Sequence, residues 1–393
     1  MKTPQAVSLE LAHLVLGADA AVRSGSGPEV LDAEGLVPVH WSGLVAEPMD
    51  LGETRVRLLR LAETASSLTD PLARDWLSEQ ALSVANLLRW ITDSSVTYEE
   101  GVSGCLRVDP RPLPPDWMQA AREARDRALQ DAGLPTGRAG YEAYAELDGV
   151  PSGEVSTVLQ AWIDELQRRT RDQLPSLELP ADAIAVKAVS GVPFSAYCDY
   201  PGRQIWINTD LPYTRAALKH LAAHEAYPGH YAHMGHRAAS FARGAMLPDS
   251  ALVITDSASS VLFEGIAERG LDLLEFRTER FDRVAWAQHR LQWACTLEVA
   301  HGLGTRRTTP AEAAQYLREV CFASEARIEG KLRFATHRLR SIFVSAYWWG
   351  GTVVGAWWNR VGAADRPQGI AHLYNHMHSP STLRAHWQTM PKD

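Results

Sequence analysis

Apolar residues recur at helical spacing through the first 175 residues. Asp70-Pro71 is typical of a helix start, with a capping carboxylate followed by proline at the first helical position. Behind it, apolar side chains return every three or four residues from Leu72 to Ile91. Two further helices are predicted over about 116–132 and 154–174. None of these helices carries evident chemistry, and we interpret residues 1–175 as packing helices.

The period of the pattern changes after residue 180. Residues 183–189, AIAVKAV, alternate apolar and β-branched side chains and predict a strand. The segments SAYCDY and RQIWIN then flank Pro201-Gly202, a pair typical of a type II turn. They predict a hairpin. A small antiparallel β insert therefore precedes the next helix.

From residue 215 onward the pattern is helical again. Helices are predicted near 258–276, 280–301, 310–330, 331–349 and 352–361, with a short last helix after Pro380. The predicted fold class is mainly α, a large helical body with a small antiparallel β insert. We expect one domain over residues 1–393, with packing helices over 1–175 and the β insert and the remaining helices over 176–393.

The uncharged run over residues 341–358 is either a membrane span or a buried helix. It is slightly short for a membrane span and contains three glycines and four tryptophans. The whole chain has a mean hydropathy of -0.20. We therefore predict a buried central helix and no membrane span.

Composition narrows the function and the compartment. A net charge of -8 argues against a nucleic-acid binder, which would need a basic face. Glu10 and His13 interrupt the N-terminal apolar run, which is unlike a signal peptide. The 4 cysteines are scattered and form no CxxC pair, as expected in a reducing cytoplasm. We expect a cytoplasmic protein.

The stretch HLAAHEAYPGHYAHMGH, residues 220–236, is the densest candidate for chemistry. In H-E-x-x-H zinc sites the two histidines lie four apart and leave one face of a helix. Here His224 and His230 are six apart, which on an ideal helix separates the rings by about 120° around the axis and about 9 Å along it. An ideal helix could not place both on one zinc ion.

Pro228 and Gly229 interrupt that helix between the two histidines. Proline has no N–H for the carbonyl four residues earlier, and glycine adopts conformations closed to other residues. A bulge of two residues would restore the geometry of H-E-x-x-H. Two alternatives stay open on residue types alone: His220 and His224 form the metal pair, or the histidines are only a polar face.

A third ligand would have to come from another segment. The best candidate is Glu264 in LFEGIAE, an apolar segment where Gly265 would let a neighbouring element approach closely. Two histidines and a glutamate suit a catalytic zinc with one open position. Glu268, one turn later, could hold a histidine ring from behind. The plainer interpretation is a solvated helix face.

The run NTDLPYTRAALKHLAAHEAYPGHY, followed by FEGIAE, resembles the bacterial family called domain of unknown function 885. That family groups with the gluzincin-like metallopeptidases. Its motif has the form H-E-A-x-P-G-H, followed some tens of residues later by E-G-W-A. The first motif is matched throughout, and the second has isoleucine in place of tryptophan. The resemblance extends from about residue 95 to the C-terminus, mostly as a pattern of helices.

This resemblance implies a zincin-like helical fold with a deep cleft. It implies that His224, His230 and Glu264 bind zinc, or another divalent metal, and that Glu225 is the general base. It thus favours the bulged helix over the His220 pair.

The chain also departs from the family pattern around the site. Tyr231 replaces a second histidine after P-G-H, and Arg269 replaces a tyrosine after the second motif. Trp349-Gly350-Gly351 stands where the family tends to have P-G-Q, and Gly355 where a tyrosine follows. These departures alter the pocket and leave the substrate open.

The working hypothesis is a zinc-dependent hydrolase, most simply a metallopeptidase acting on a peptide or a small-molecule amide. Glu225 would take a proton from the attacking water and pass it to the leaving nitrogen. Tyr347 and His378 are the catalytic candidates for stabilising the oxyanion, and His376 is a candidate for binding substrate. The plainer interpretation of the two histidines is that they lie at the surface, and that of the aromatic block around Tyr347 is that it belongs to the core.

Two rival functions remain. One is a metal-dependent tailoring or biosynthetic enzyme acting on a small amino-acid-like molecule, which keeps the zinc site and changes the reaction. The other is a non-catalytic binding protein on the same fold. An intact set of His224, Glu225, His230 and Glu264 speaks against the second.

Overall fold

The computed structural model describes residues 2–25 and 34–389 and shows a mainly α-helical chain. In chain order, the helices are α1 Pro4–Ser24, α2 Leu51–Ala65, α3 Pro71–Thr92, α4 Tyr98–Gly101, α5 Pro115–Asp131, α6 Gly137–Leu147, α7 Val155–Gln173, α8 Arg215–Glu225, α9 His230–Ala242, α10 Ala258–Glu268, α11 Gly270–Leu273, α12 Asp282–Gly304, α13 Pro310–Val320, α14 Glu325–Thr336, α15 Val344–Trp358, α16 Arg366–Asn375 and α17 Pro380–Thr389. The predicted fold class is confirmed.

The strands are short and form three small sheets. They are β1 Val39–His40, β2 Gly149–Val150, β3 Ala185–Val189, β4 Ala196–Asp199, β5 Gln204–Asn208, β6 Tyr213–Thr214 and β7 Leu252–Val253. The largest sheet has the order β3-β5-β4. The predicted hairpin of β4 and β5 is antiparallel, whereas β3 pairs with β5 in parallel, so the insert is a mixed sheet. At the hairpin turn the left-handed residue is Arg203, with φ 54°, and not Gly202 as a type II turn would require.

The helices form two compact units, each assembled from separate segments of the chain. The first unit comprises the described residues up to Pro110, Met234–Gly265 and those from Arg338 onward. In it α1 packs against α2 and α3. Asp249 accepts hydrogen bonds from the Ser8 hydroxyl at 2.5 Å and from the Trp76 indole at 2.7 Å, which satisfies a buried carboxylate.

The second unit comprises Arg111–His233 and Ile266–His337. There α5 packs against α12, and α7 packs against α8. A buried ion pair joins Lys219 of α8 to Asp282 of α12 at 2.7 Å. This pair fixes α8, the first helix of the histidine motif, to the core of its own unit. The prediction of one domain over 1–393 stays a prediction.

Several predicted helix bounds were wrong where tertiary contacts decide the backbone. The predicted helix over 258–276 is divided at Arg269, between α10 and α11. The predicted helices over 310–330 and 331–349 are displaced, because α13 ends at Val320 and Phe322 turns left-handed at φ 54°. The Phe322 ring lies 4.5 Å and 4.7 Å from the guanidinium groups of Arg125 and Arg138, contacts that a local pattern cannot show.

The uncharged run over 341–358 is a buried helix, α15, as predicted. The predicted helix over 352–361 is the second half of α15 and not a separate element. Within the described residues, α1 alone is long and apolar enough to cross a membrane by length and composition, and 56% of its most apolar window is buried inside the protein.

Candidate metal centre

The histidine motif is carried by two helices with a wide turn between them. Helix α8 ends at Glu225 and α9 begins at His230, and the Tyr227–Pro228 peptide bond is cis. Across the turn, the N–H of Gly229 donates to the Ala223 carbonyl, and the N–H of Ala232 donates to the Ala226 carbonyl, each at 3.0 Å. These bonds reach back six residues where an α-helix reaches back four. The turn is therefore the two-residue bulge that the spacing of the motif requires.

Gly229 is required by a close approach of the backbone. A Cβ atom at this position would lie 1.9 Å from the His224 carbonyl oxygen and 2.4 Å from that of Ala223. Any larger residue would force the last turn of α8 away from the first turn of α9. The glycine of the motif thus permits the close approach of the backbone, and the histidines provide the candidate metal ligands.

The bulge brings together two rings that a regular helix would separate. The ring centroids of His224 and His230 lie 4.6 Å apart, with the rings nearly perpendicular at 82°. Both residues are 7% exposed. Perpendicular imidazoles at this separation can direct one nitrogen each toward a common point.

Glu264 lies on α10, one helical turn before Glu268, so the helix itself fixes the spacing of the two carboxylates. The donor atoms of His224, His230 and Glu264 lie within 4.8 Å of one another. Ligands of a tetrahedral zinc ion are about 3.4 Å apart, a distance that small side-chain rotations would reach. We call these three residues the motif centre.

The direction of Glu264 depends on a contact between two glycines. A Cβ atom on Gly265 would lie 2.5 Å from the Gly350 carbonyl oxygen, and one on Gly350 would lie 2.3 Å from that of Val261. Helices α10 and α15 therefore touch backbone to backbone beside Glu264. This is the close neighbour that the sequence predicted at Gly265.

Glu268 lies behind the ring of His224. Its Oε1 is 3.5 Å from Nδ1 of His224, and its Oε2 is 2.9 Å from Nε2 of His289. Burial alone would raise the pKa of Glu268, but the three surrounding imidazoles hold it well below its ordinary value. An ionised carboxylate at Nδ1 favours the tautomer of His224 in which Nε2 carries the lone pair.

A second set of donors surrounds the same carboxylate. The donor atoms of His220, Glu268 and His289 also lie within 4.8 Å of one another. The ring of His220 lies 4.4 Å from that of His289 but 6.3 Å from that of His224, so His220 groups with His289. Burial lowers the pKa of His220 and of His289, and the charge of Glu268 opposes that shift at both rings.

Glu225, the predicted general base, is the last residue of α8 and is 7% exposed. Burial raises the pKa of the Cys198 thiol on β4, and the charge of Glu225 raises it further. Helix α8 packs against β4, which is an edge strand of its sheet. The candidate base therefore lies close to β4, an edge strand of the β insert.

The remaining predicted residues lie on α15 and near the last two helices. The Tyr347 ring packs edge-on against Phe343 at 5.4 Å. His376 and His378 gather around His372, with ring centroids 4.6 Å and 4.8 Å away. The predicted catalytic roles of Tyr347 and His378 and the predicted substrate contact of His376 stay predictions.

Sequence reasoning missed three histidines. His289 gives no local signal, because its partners lie on α8 and α10. His372 could have been found, since it precedes His376 by one helical turn, a common spacing for metal ligands. His386 stacks on His372 from α17 and could not have been inferred from spacing.

The donor set of the motif centre fits zinc. Two imidazoles and one carboxylate, all buried, are the ligands of catalytic zinc sites that keep one position open. An ionised second carboxylate behind one ligating ring is the usual companion of such sites.

Comparison with known proteins gives a shared fold. No family model matches the chain, and no curated protein matches it. A crystal structure from Colwellia psychrerythraea, of a protein named as a lipoprotein, is similar with a TM-score of 0.52 at 18% identity, over 80% of this chain. The chain spans 58% of that protein's length. A structure from Shewanella oneidensis, named as a lipoprotein of unknown function, has a TM-score of 0.52 at 13% identity, over 86% of this chain and 72% of its own. At these identities the chain shares the fold of the two structures, and the resemblance to domain of unknown function 885 rests on its two motifs.

Proposed function

We propose that the protein is a zinc-dependent hydrolase that cleaves peptide or amide bonds. One observation supports the proposal above all: across the bulge at Pro228-Gly229 the rings of His224 and His230 lie 4.6 Å apart, and their donor atoms and that of Glu264 lie within 4.8 Å of one another. A regular helix could not make that arrangement, and the backbone has no other evident need for it.

In this proposal some residues bind the zinc ion and one residue transfers a proton. His224, His230 and Glu264 would hold the zinc ion, and Glu268 would keep the His224 ring in place. Zinc in such a site supplies a Lewis acid that polarises a carbonyl and lowers the pKa of water. Glu225 would accept a proton as the water oxygen attacks the carbonyl carbon. It would return a proton to the nitrogen as the C–N bond breaks.

The edge strand β4 is a candidate binding site for an extended peptide substrate. Within the described residues, no strand pairs with the outer side of β4. A peptide could add to that edge through main-chain hydrogen bonds, which bind a backbone whatever its side chains. The charge of Glu225 raises the pKa of Cys198 on β4, so the two side chains are close. The scissile bond of a peptide paired with β4 would therefore lie near the base.

The first test is metal content by elemental analysis of protein purified without a tag or chelator. We expect the His230→Ala variant to lose one zinc ion per chain and the His220→Gln variant to keep it. Loss in His220→Gln with retention in His230→Ala would overturn the motif centre in favour of the set around His289.

The second test is cleavage of a panel of peptides and aminoacyl amides by the zinc-loaded protein, read by mass spectrometry. We expect Glu225→Gln to lower kcat/KM by about 10²–10⁴ while zinc content is unchanged. Glu146→Gln, an exposed change on α6, is the matched control. A zinc-loaded protein that cleaves nothing in the panel, or a Glu225→Gln variant with full activity, would contradict the proposal.

A further inference from the structure

Four histidines of the first unit meet around one ring. His372 lies on α16, His376 and His378 follow it, and His386 lies on α17. The His372 ring centroid is 4.6 Å from that of His376, 4.8 Å from that of His378 and 3.7 Å from that of His386. We call these four residues the C-terminal histidine cluster. The metal-holding and proton-transfer roles proposed above involve none of them, whereas the sequence alone predicted catalytic and substrate roles for His378 and His376.

A hydroxyl group contacts one nitrogen of His378, and the other nitrogen faces His372. The Thr382 hydroxyl lies 3.3 Å from Nδ1 of His378 and also bonds with the backbone of Ser379. Nε2 of His378 lies 2.9 Å from Nε2 of His372, so two donor atoms face each other. A polar partner at Nδ1, with Nε2 directed to a shared point, is the usual arrangement of a metal-binding histidine.

The four imidazoles lie at different depths. His378 is buried, His372 and His386 are partly buried, and His376 is exposed. A cation in solution can therefore reach the cluster through His376.

We propose that the C-terminal histidine cluster binds one transition-metal cation through His372, His376 and His378. Imidazole ligands suit Zn²⁺, Ni²⁺ and Cu²⁺ and not the oxygen-seeking Mg²⁺ and Ca²⁺. The two Nε2 atoms at 2.9 Å need to part by only about 0.5 Å to share a tetrahedral ion. The exposed His376 ring, whose centroid is 6.4 Å from that of His378, must turn toward them to complete the site. His386 lies flat on His372, with 7° between the rings, and covers the site without serving as a ligand.

The binding of such an ion would join α16 to the loop that leads into α17. Two ligands come from the end of α16 and the residue after it, and the third comes from the loop before Pro380. The ion would thus act as a clamp on the last helix of the described chain. It has no part in the proposed hydrolysis, so either proposal can fail alone.

The test is nickel binding by calorimetry on the full chain, together with elemental analysis of protein purified without added metal. We expect His372→Gln and His378→Gln each to weaken Ni²⁺ binding by about 100-fold or more and to lose one ion per chain. His40→Gln, a change at an exposed histidine, should bind as the wild type does. His230→Ala should retain this ion even where it loses the zinc of the motif centre.

Unchanged Ni²⁺ affinity in both His372→Gln and His378→Gln, with circular dichroism showing folded protein, would overturn the proposal. So would wild-type protein that takes up Ni²⁺ in solution but carries no metal at this cluster when purified. If one variant does not fold, His376→Gln, at an exposed position, gives the same readout.

Discussion

The motif centre and the C-terminal histidine cluster use the same side chain in opposite ways. The motif centre has two histidines and a carboxylate, all at most 7% exposed, on backbone that glycines hold in place. The cluster has four histidines, of which one is buried, two are partly buried and one is exposed, and a hydroxyl group contacts one of them. A carboxylate ligand and an open position favour catalysis, whereas an all-imidazole set near the surface favours holding an ion. The function of a histidine site therefore depends less on the number of histidines than on the other ligands and on the contacts that position the rings.

The largest effect is expected from a methyl group placed in the bulge. Gly229→Ala would place a methyl group against two carbonyl oxygens, and we expect complete loss of metal at the motif centre with a destabilisation of about 1–3 kcal/mol. Ni²⁺ binding at the cluster should not change. Elemental analysis and thermal melting measure both effects. Gly153→Ala, where a Cβ meets open space, is the control. Retention of zinc by Gly229→Ala would show that the bulge is not what builds the centre.

A smaller effect is expected from the carboxylate behind His224. Glu268→Gln removes the charge that orients the ring, and zinc affinity at the motif centre should fall about 10–100-fold. The cluster should bind Ni²⁺ as before. Competition with a chromophoric chelator measures the affinity. Glu298→Gln, at a carboxylate that accepts from the Leu113 N–H, is the matched change. An equal loss in both variants would mean general loosening of the second unit.

The corresponding change in the cluster removes a hydroxyl. Thr382→Val keeps the shape of the side chain but no longer orients Nδ1 of His378, and Ni²⁺ affinity should fall about tenfold. Thr336→Val, where the hydroxyl bonds only to the carbonyls of its own helix, should leave it unchanged. Unchanged Ni²⁺ affinity in Thr382→Val would show that the Thr382 hydroxyl does not orient His378 for metal binding.

The smallest effect tests the role of His386. His386→Phe keeps a ring to stack on His372 but has no donor nitrogen, so Ni²⁺ affinity should change by about threefold or less. A loss of 100-fold in the same calorimetry would make His386 a ligand and the cluster a four-histidine site.

Local signals in the sequence were enough for much of the fold. Asp70 caps α3 by accepting from the Leu72 N–H at 3.0 Å, and Thr309 and Glu312 form a capping box at the start of α13. Both depend on neighbours within three residues, so a pattern can show them. The bulge at Pro228-Gly229 was predictable for the same reason, since both the break and its cause lie inside the motif.

Contacts between distant segments were not predictable in this way. The left-handed turn at Phe322 depends on arginines from α5 and α6, and the parallel pairing of β3 depends on which side of the hairpin it joins. The same holds for the site: His224, His230 and Glu264 came from motifs, whereas His289 and His386 are defined only by what touches them.

The contact of Gly265 with Gly350 extends the metal site beyond its ligands. Position 350 lies far along the chain from Glu264 and offers no atom to bind an ion, yet a methyl group there would push directly on the backbone of α10. Helix α10 would have to shift, and a carboxylate ligand tolerates little displacement from its ion. In a screen of random variants for metal content, substitutions at position 350 would therefore lose metal as substitutions of the ligands do. A protein engineer who wished to retune the centre without touching its ligands would start from this crossing of two backbones.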